Sequence, residues 1–389
     1  MRFLTAGESH GRALTVIIEG MPAGLEVDEE FINKRLALRQ TGYGRGGRMK
    51  IETDRAILTG GVVYGKTIGA PLSFNIENKD HKRWEAAFND SSSGEVEIDC
   101  DSKISKTKAQ VSLPRPGHAD LTGVMKYGFS DIRPVIERAS ARETASRVLA
   151  GSLAQLLLKE FGIRTYSRVV SIGGVQDKTE YDAWDLEFLE KSSLRLLCDP
   201  KPFIEEIDEA KRNGDSLGGV VEVKAKGLIP GLGSYVHWDR RLDGKLAQAV
   251  MSVPAIKGVE IGLGFGASRL PGSLVHDQIG YDKGYFRYTN HAGGIEGGIT
   301  NGEDIIIRAA MKPIPTLYKP LKTVEIKTHK LNEASIERSD TTAVTAASVV
   351  VEAMVAWVLA ESLLEKFGGD ALYDIKQSVT AYLKRLGEI

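Results

Sequence analysis

The stretch from Ala343 to Leu359 is apolar on nearly every face. A helix without a polar side has to be buried all round. Extended to Leu364, the run carries Glu352 and Glu361, so it reads as a helix in a protein core rather than a membrane span. The pattern predicts a helix from about Asp340 to Phe367, closed by Gly368. A second long helix is predicted from about Pro134 to Phe161, with proline suited to the first helical position and Gly162 just past the end. The two segments open and close alike: Glu137-Arg138-Ala139-Ser140 with Lys159-Glu160-Phe161-Gly162, and Glu337-Arg338-Ser339-Asp340 with Glu365-Lys366-Phe367-Gly368. This points either to two related halves, each a sheet with a central helix, or to chance similarity between common cap sequences.

Glycine clusters at Gly42 to Gly47, Gly262 to Gly266 and Gly293 to Gly298, and apolar strand-like runs such as Leu14 to Glu19 and Gly218 to Val223 adjoin such clusters. Short strands between glycine turns indicate sheet-rich regions. Asp28 to Gln40 reads as helix and Met49 to Glu52 as extended chain. Length alone allows two or three domains or one large one; a single unit over 1–389 is the reading adopted. Within it, Asn78 to Lys108 is polar and reads as a surface insertion, and Pro271 to Asn290 as a mobile flap or a long connection.

Lys and Arg total 51 against 52 Asp and Glu, a net charge of -1, which argues against a general nucleic-acid or membrane-surface binder. Any anion site must be a local cluster of cations. Cys100 and Cys198 are far apart and in no ligand spacing, so neither a disulfide framework nor a metal site is expected. The start, Met1 to Gly7, turns polar too quickly for a signal peptide, and a cytoplasmic location is the expectation.

Three motifs resemble signatures whose context is wrong. Gly7-Glu8-Ser9-His10-Gly11 fits the nucleophile elbow of serine hydrolases, but a β-branched run follows where a helix is required. Gly42 to Gly47 fits a dinucleotide fingerprint with helix and strand in inverted order, and Gly262 to Ala267 lacks the following helix. Arg45-Gly46-Gly47-Arg48 is a single RGG-like copy in a chain of neutral net charge.

Five polar segments carry candidate chemistry. Arg39, Arg45 and Arg48 sit on a glycine-rich turn, where backbone comes close to a ligand and guanidiniums offer forked donors to carboxylate and phosphate; a solvated surface turn is the other reading. Pro114-Arg115-Pro116-Gly117-His118-Ala119-Asp120 is a stiff loop that pre-organises Arg115 and His118, or a rigid turn with a packed histidine. Arg138 and Arg142, four apart at a helix start, share a face and call for an anion between them, or pair with acids at the surface. Met311 to Thr316 alternates prolines and fixes Lys312 and Thr316. Arg338-Ser339-Asp340 reads as a helix cap or as part of a site. His10 and His118, in glycine-containing polar motifs, are the histidines best placed for proton transfer.

Taken together and in order, these segments resemble the chorismate synthase family, with Val253 to Glu260 and Gly294 to Gly302 also similar; the resemblance spans roughly residues 1–75 and 110–367. It implies an α+β fold in which antiparallel sheets flank long central helices as a β-α-β sandwich, and a homotetramer built as a dimer of dimers. It implies a lyase that converts 5-enolpyruvylshikimate 3-phosphate to chorismate and phosphate by 1,4-elimination, in the shikimate pathway to aromatic amino acids. Reduced FMN is required, with NADPH as a candidate reductant. By the same resemblance His10 is the acid near the departing phosphate, His118 manages flavin protonation, and Asp340 accepts a proton from flavin N5 with Ser9 and Ser140 as relays. Substrate contacts fall to His10, Arg39, Arg45, Arg48, Arg115, Arg142 and Arg338. Flavin contacts fall to Arg138, Ala139, Ser140, Pro254, Ala255, Gly297, Lys312, Pro313, Ile314, Pro315, Thr316 and Arg338, and NADPH contacts to Arg39 and Arg45. Pro254 stands where many members carry asparagine, and Thr341 where proline is common. A different flavin- or phosphate-dependent enzyme on the same scaffold, or a non-catalytic anion- or RNA-binding protein, would use the same residues.

Overall fold

The computed structural model describes residues 1–46, 53–89, 95–100, 103–108, 110–180, 183–337 and 339–388. The expected strand at Met49 to Glu52, and Arg48 and Arg338 among the candidate site residues, lie outside these.

Two antiparallel sheets dominate. The first joins β1 (Arg2–Ala6), β2 (Ala13–Glu19), β3 (Ala56–Gly60) and β4 (Leu72–Glu77) in the order β1-β2-β4-β3. Alternation sets its faces: Leu14, Val16 and Ile18 of β2 and Leu72, Phe74 and Ile76 of β4 are all buried on one side. The second joins β5 (Arg164–Ile172), β6 (Val175–Gln176), β7 (Gly219–Lys226), β8 (Ile256–Ile261) and β9 (Ile305–Met311) in the order β6-β5-β7-β9-β8.

The helices that bear on the site are α1 (Glu29–Gln40), α2 (His81–Asn89), α3 (Asp120–Tyr127), α4 (Arg133–Ala139), α5 (Thr144–Lys159), α6 (Leu242–Met251) and α7 (Val344–Phe367). Helix α5 packs on α7 and touches β2, while α7 also lies on β5 and β7. The crossing is tight: a Cβ on Gly151 of α5 would stand 2.4 Å from Ala353 Cβ of α7, so the two backbones meet where only glycine fits. As its composition requires, α7 is buried along nearly its whole length, which removes it from any membrane reading. Its one buried acid, Glu352, is compensated by Arg35 at 2.8 Å, Ser167 Oγ at 2.7 Å and Gln155 Nε2 at 2.8 Å.

Three expectations change. Helix α7 begins at Val344 rather than Asp340, because the Thr341 N–H donates to the Gly44 carbonyl and the Leu217 N–H to the Thr341 carbonyl; this extended segment is tied to neighbouring chain before the helix can start. Asp340 is therefore no cap. The helix expected over 134–161 breaks at Ser140, whose φ of -64° and ψ of 141° are extended, and resumes through a 3-10 turn over Ala141–Glu143 into α5. Arg138 and Arg142 thus do not share a helical face. Residues 271–290 carry a short helix, Gly272–Val275, and a hairpin of Ile279–Tyr281 with Tyr285–Arg287. Asp277 pins that segment by accepting from Thr289 Oγ1, His291 N and Ala292 N.

Candidate active site

The break at Ser140 opens onto a cavity of about 580 Å³. Its walls come from the Arg39 to Gly46 turn, the Arg115 to Ala119 loop, residues 140–144, the segment joining α6 to β8, the end of β9 with Lys312 to Thr316, and the N-terminal turns of α7. The volume lies within the usual range for small-molecule sites, roughly 300–1,000 Å³.

One wall is cationic. Helix α1 buries a stripe of Ile32, Leu36 and Arg39, which delivers a guanidinium at the end of an apolar ridge. Arg39 Nη2 donates to Asp54 Oδ2 at 2.6 Å and Arg142 Nη1 to Asp54 Oδ1 at 2.5 Å. Arg142 Nε also donates to Asn78 Oδ1 at 2.7 Å. Burial pushes Arg39 down to about 10, a drop that Asp54 opposes and Arg142 reinforces, so the group stays charged at neutral pH. Burial pushes the Asp54 carboxyl up, but the two guanidiniums outweigh it and hold it below its ordinary value. Arg39 Nε is buried without a hydrogen-bond partner among the described residues, so one donor of this wall remains to be satisfied. Beside it, Arg45 Nε lies 3.3 Å from Asp340 Oδ2, and Asp340 Oδ1 accepts from Gly46 N at 2.6 Å.

The second cationic cluster lies on the proline-stiffened loop. Asp120, at the first position of α3, accepts from Arg115 N at 2.9 Å and Nε at 2.8 Å, and its Oδ1 lies 2.5 Å from His118 Nδ1. Burial raises the Asp120 carboxyl, but the His118 and Arg115 bonds outweigh it and hold it well below the carboxylate range. An ionised carboxylate only accepts, so His118 Nδ1 must carry its proton and Nε2 is the nitrogen that exchanges protons. Arg115 Nη1 reaches Thr316 Oγ1 at 3.0 Å. Lys312 donates to the Gly117 carbonyl. Burial, and then the charge of Lys257, lower the Lys312 ammonium. Ala255 is held at φ 70°, a left-handed conformation costly for a residue with a side chain, and its carbonyl accepts from Lys312 N at 2.9 Å.

The rest of the lining includes an apolar part. Ala343, Ala346, Ala347 and Val350 of the α7 end face the cavity, with Met251, Val253, Ile256 and Met311. Small side chains in a row leave a slot with room for a flat ring system.

His10 stands one layer behind Ser140. Ser140 Oγ donates to Ser9 Oγ at 3.1 Å. The next residue, His10, is stacked on Trp84 with ring centroids 4.0 Å apart, and its Nδ1 lies 2.8 Å from Glu137 Oε1. Trp84 comes from α2, at the start of the segment expected to be a surface insertion, and is fully buried.

Of the candidates named from sequence, Arg39, Arg45, Arg115, His118, Ser140, Arg142, Pro254, Ala255, Lys312, Ile314, Pro315, Thr316 and Asp340 line the cavity. Ser9 and His10 sit behind it. Arg138 turns away and bonds Thr5; Ala139 and Pro313 are not in the lining, and Gly297 lies in the turn between Ile295–Glu296 and Ile299–Thr300. Sequence reasoning missed Asp54, Asn78, Trp84, Glu137 and Lys257 as parts of the site. Asp120 was legible as the end of the proline motif, though not its role. Nothing in the local sequence around Asp54 or Trp84 signals theirs.

Six cations line the cavity, Arg39, Arg45, Arg115, Arg142, Lys257 and Lys312, and three carboxylates, Asp54, Asp120 and Asp340, compensate part of that charge. The surplus suits a ligand with several negative charges. Comparison with known proteins agrees with this chemistry. A family model described as chorismate synthase matches residues 1–364. The chorismate synthase of Caldicellulosiruptor saccharolyticus is 55% identical over 379 residues, covering 96% of this chain and 97% of that protein. The chorismate synthase of Moorella thermoacetica is 52% identical over 394 residues, covering 100% of both. A solved structure, a crystal structure of chorismate synthase, shares 44% identity with a TM-score of 0.79 and covers 100% of this chain and 98% of its own. With cavity, charge and full-length similarity in agreement, the chain belongs to the chorismate synthase family.

Proposed function

We propose that this enzyme converts 5-enolpyruvylshikimate 3-phosphate to chorismate and phosphate by 1,4-elimination, using reduced FMN. The observation that carries the proposal is a single cavity whose lining combines six cations with a row of small apolar side chains. The substrate brings a phosphate monoester, with a charge of about −1.5 to −2 at neutral pH, and two carboxylates. Its natural place is against Arg39, Arg45, Arg115 and Arg142, where the buried unpaired Arg39 Nε has a donor to offer. The residues also fit a flavin: the Ala343, Ala346, Ala347 and Val350 slot suits its rings, and Lys312 with Lys257 its phosphate. Reduced FMN, when bound, supplies the electron density that lets a weakly acidic C–H break, and takes up the hydrogen.

The chain's own residues bind, orient and move protons. The arginines neutralise charge growing on the departing phosphate. His10 acts as the acid toward that phosphate, through the Ser9–Ser140 contact at the cavity wall. His118, fixed by Asp120, exchanges a proton at Nε2, and Asp340 is the acceptor near the flavin. Arg39 and Arg45 are the positions that would also meet NADPH. The reading extends to a β-α-β sandwich of two related halves, with α5 and α7 as the middle layer, and to a cytoplasmic homotetramer.

Anaerobic assay with reduced FMN tests the proposal directly. Release of phosphate and chorismate from the substrate is expected, and no release overturns it. Stopped-flow reduction of FMN by NADPH decides whether the enzyme reduces its own cofactor.

A further inference from the structure

Glu137 belongs to none of the five polar segments read as candidate chemistry, yet it holds the Ser9–His10 turn at three points. Its backbone carbonyl accepts from Ser9 N at 3.0 Å, its Oε2 from His10 N at 2.8 Å, and its Oε1 lies 2.8 Å from His10 Nδ1. Residues 127 apart in sequence are thereby locked together. Glu137 and His10 are 4% and 8% exposed, so the contact is sheltered from solvent screening. Among the described residues, these groups surround the pair. Arg133 of α4 lies 3.6 Å from Glu137 Oε1 and also bonds Glu337. His81 of α2 donates from Nδ1 to the His10 carbonyl at 2.9 Å. Trp84 packs between Arg133 and the His10 ring.

We infer that Glu137 is the positioning carboxylate of His10: it fixes the proton on Nδ1, aims Nε2 for proton exchange, and favours the imidazolium that can act as an acid. The inference rests on the proposed role of His10. Burial raises the Glu137 carboxyl, but its bonds to His10 and the charge there outweigh burial and keep it below its ordinary value. An ionised carboxylate cannot donate, so Nδ1 must. The site then contains the same device twice: His118 with Asp120, and His10 with Glu137. Glutamine cannot do the work of Glu137: with its oxygen accepting from His10 N–H, its NH₂ donates to Nδ1 and selects the opposite tautomer, with the proton on Nε2.

Five readouts test this. In Glu137→Gln, kcat should fall about a hundredfold with KM within about twofold of the parent. The alkaline limb of the pH–rate profile should move down by about one unit, since loss of the anion makes the imidazolium more acidic. Glu137→Asp, which keeps the charge, should recover most of the rate. In a His10→Ala background, Glu137→Gln should add no further loss. The last readout needs neither turnover nor a variant of Glu137: ¹⁵N-histidine NMR of the parent, taken at alkaline pH where the ring has lost its second proton and with His10 assigned by comparison with His10→Gln, should show the Nδ1–H tautomer. An unshifted alkaline limb in Glu137→Gln, a full additional loss in the His10→Ala background, or an Nε2–H tautomer in the parent each overturns the inference. Absence of turnover in the parent sinks the functional proposal and leaves the tautomer test standing.

Discussion

Arg142 Nη1 lies 2.5 Å from Asp54 Oδ1, and the second oxygen of that carboxylate is taken by Arg39 Nη2 at 2.6 Å. One buried acid thus holds two guanidiniums side by side with one donor, Arg39 Nε, unpaired among the described residues. Asp54→Ala should leave two buried cations facing each other and cost about 3–5 kcal/mol of stability. Because an anion in the cavity would then replace the lost carboxylate, inorganic phosphate should raise the Tm of the variant more than that of the parent. Thermal unfolding across a phosphate titration checks this; equal shifts would count against an anion site here.

The same carboxylate sets an acid limit. Its folded value is depressed below the ordinary 3.8, so its stabilisation is fully present above that value and lost as pH falls through the folded one. Asp120 behaves likewise. Stability of the parent is therefore expected to be flat in these two groups from neutral pH down to about 5, then to fall. In Asp54→Asn the fall should be shallower, as read from urea unfolding at a series of pH values.

Burial, and then the charge of Lys257, lower the Lys312 ammonium. A bound phosphate relieves both. The Lys257→Ala and Lys312→Ala variants should each weaken FMN binding by about tenfold at low salt, with a smaller difference at high salt. Fluorescence titration of FMN at two ionic strengths measures it.

Ala347 lines the apolar slot. Ala347→Phe should fill it and abolish flavin binding while the protein stays folded, at an overpacking cost of about 1–3 kcal/mol. Flavin binding retained at parental affinity would move the ring system elsewhere.

Glu352 offers a contrast outside the cavity lining. Replacing it with leucine removes the partner of Arg35 and leaves Arg195, 3.8 Å away, uncompensated in the core. The expected cost is about 3–5 kcal/mol, with phosphate affinity of the folded protein unchanged.

Several features were legible before any coordinates. Ala343 to Leu359 had to be a core helix because no face of it could meet water. The alternation of β2, the proline-stiffened Arg115–His118 loop and the Lys312 to Thr316 strap all carried local signals. The boundaries were less legible. Pro134 to Phe161 reads as one helix by propensity, but Ser140 spends its hydroxyl on Ser9 Oγ and on capping Arg142 N, and the chain bends there. Asp340 looks like a cap, yet its carboxylate is drawn to Gly46 and Arg45.

By itself the sequence determined the chemistry on offer: a buried helix, glycine-flanked turns, two motif histidines and a set of arginines that no net charge explains. The tertiary structure alone decided which acids answer them. Arg142 meets Asp54 across 88 residues and His10 meets Glu137 across 127. Trp84 lies in a stretch with no core signature and still forms the floor under His10. Such partners cannot be read from spacing. A hydrogen bond needs atoms within about 3 Å, and over these separations only the packing of sheets and helices brings them so close.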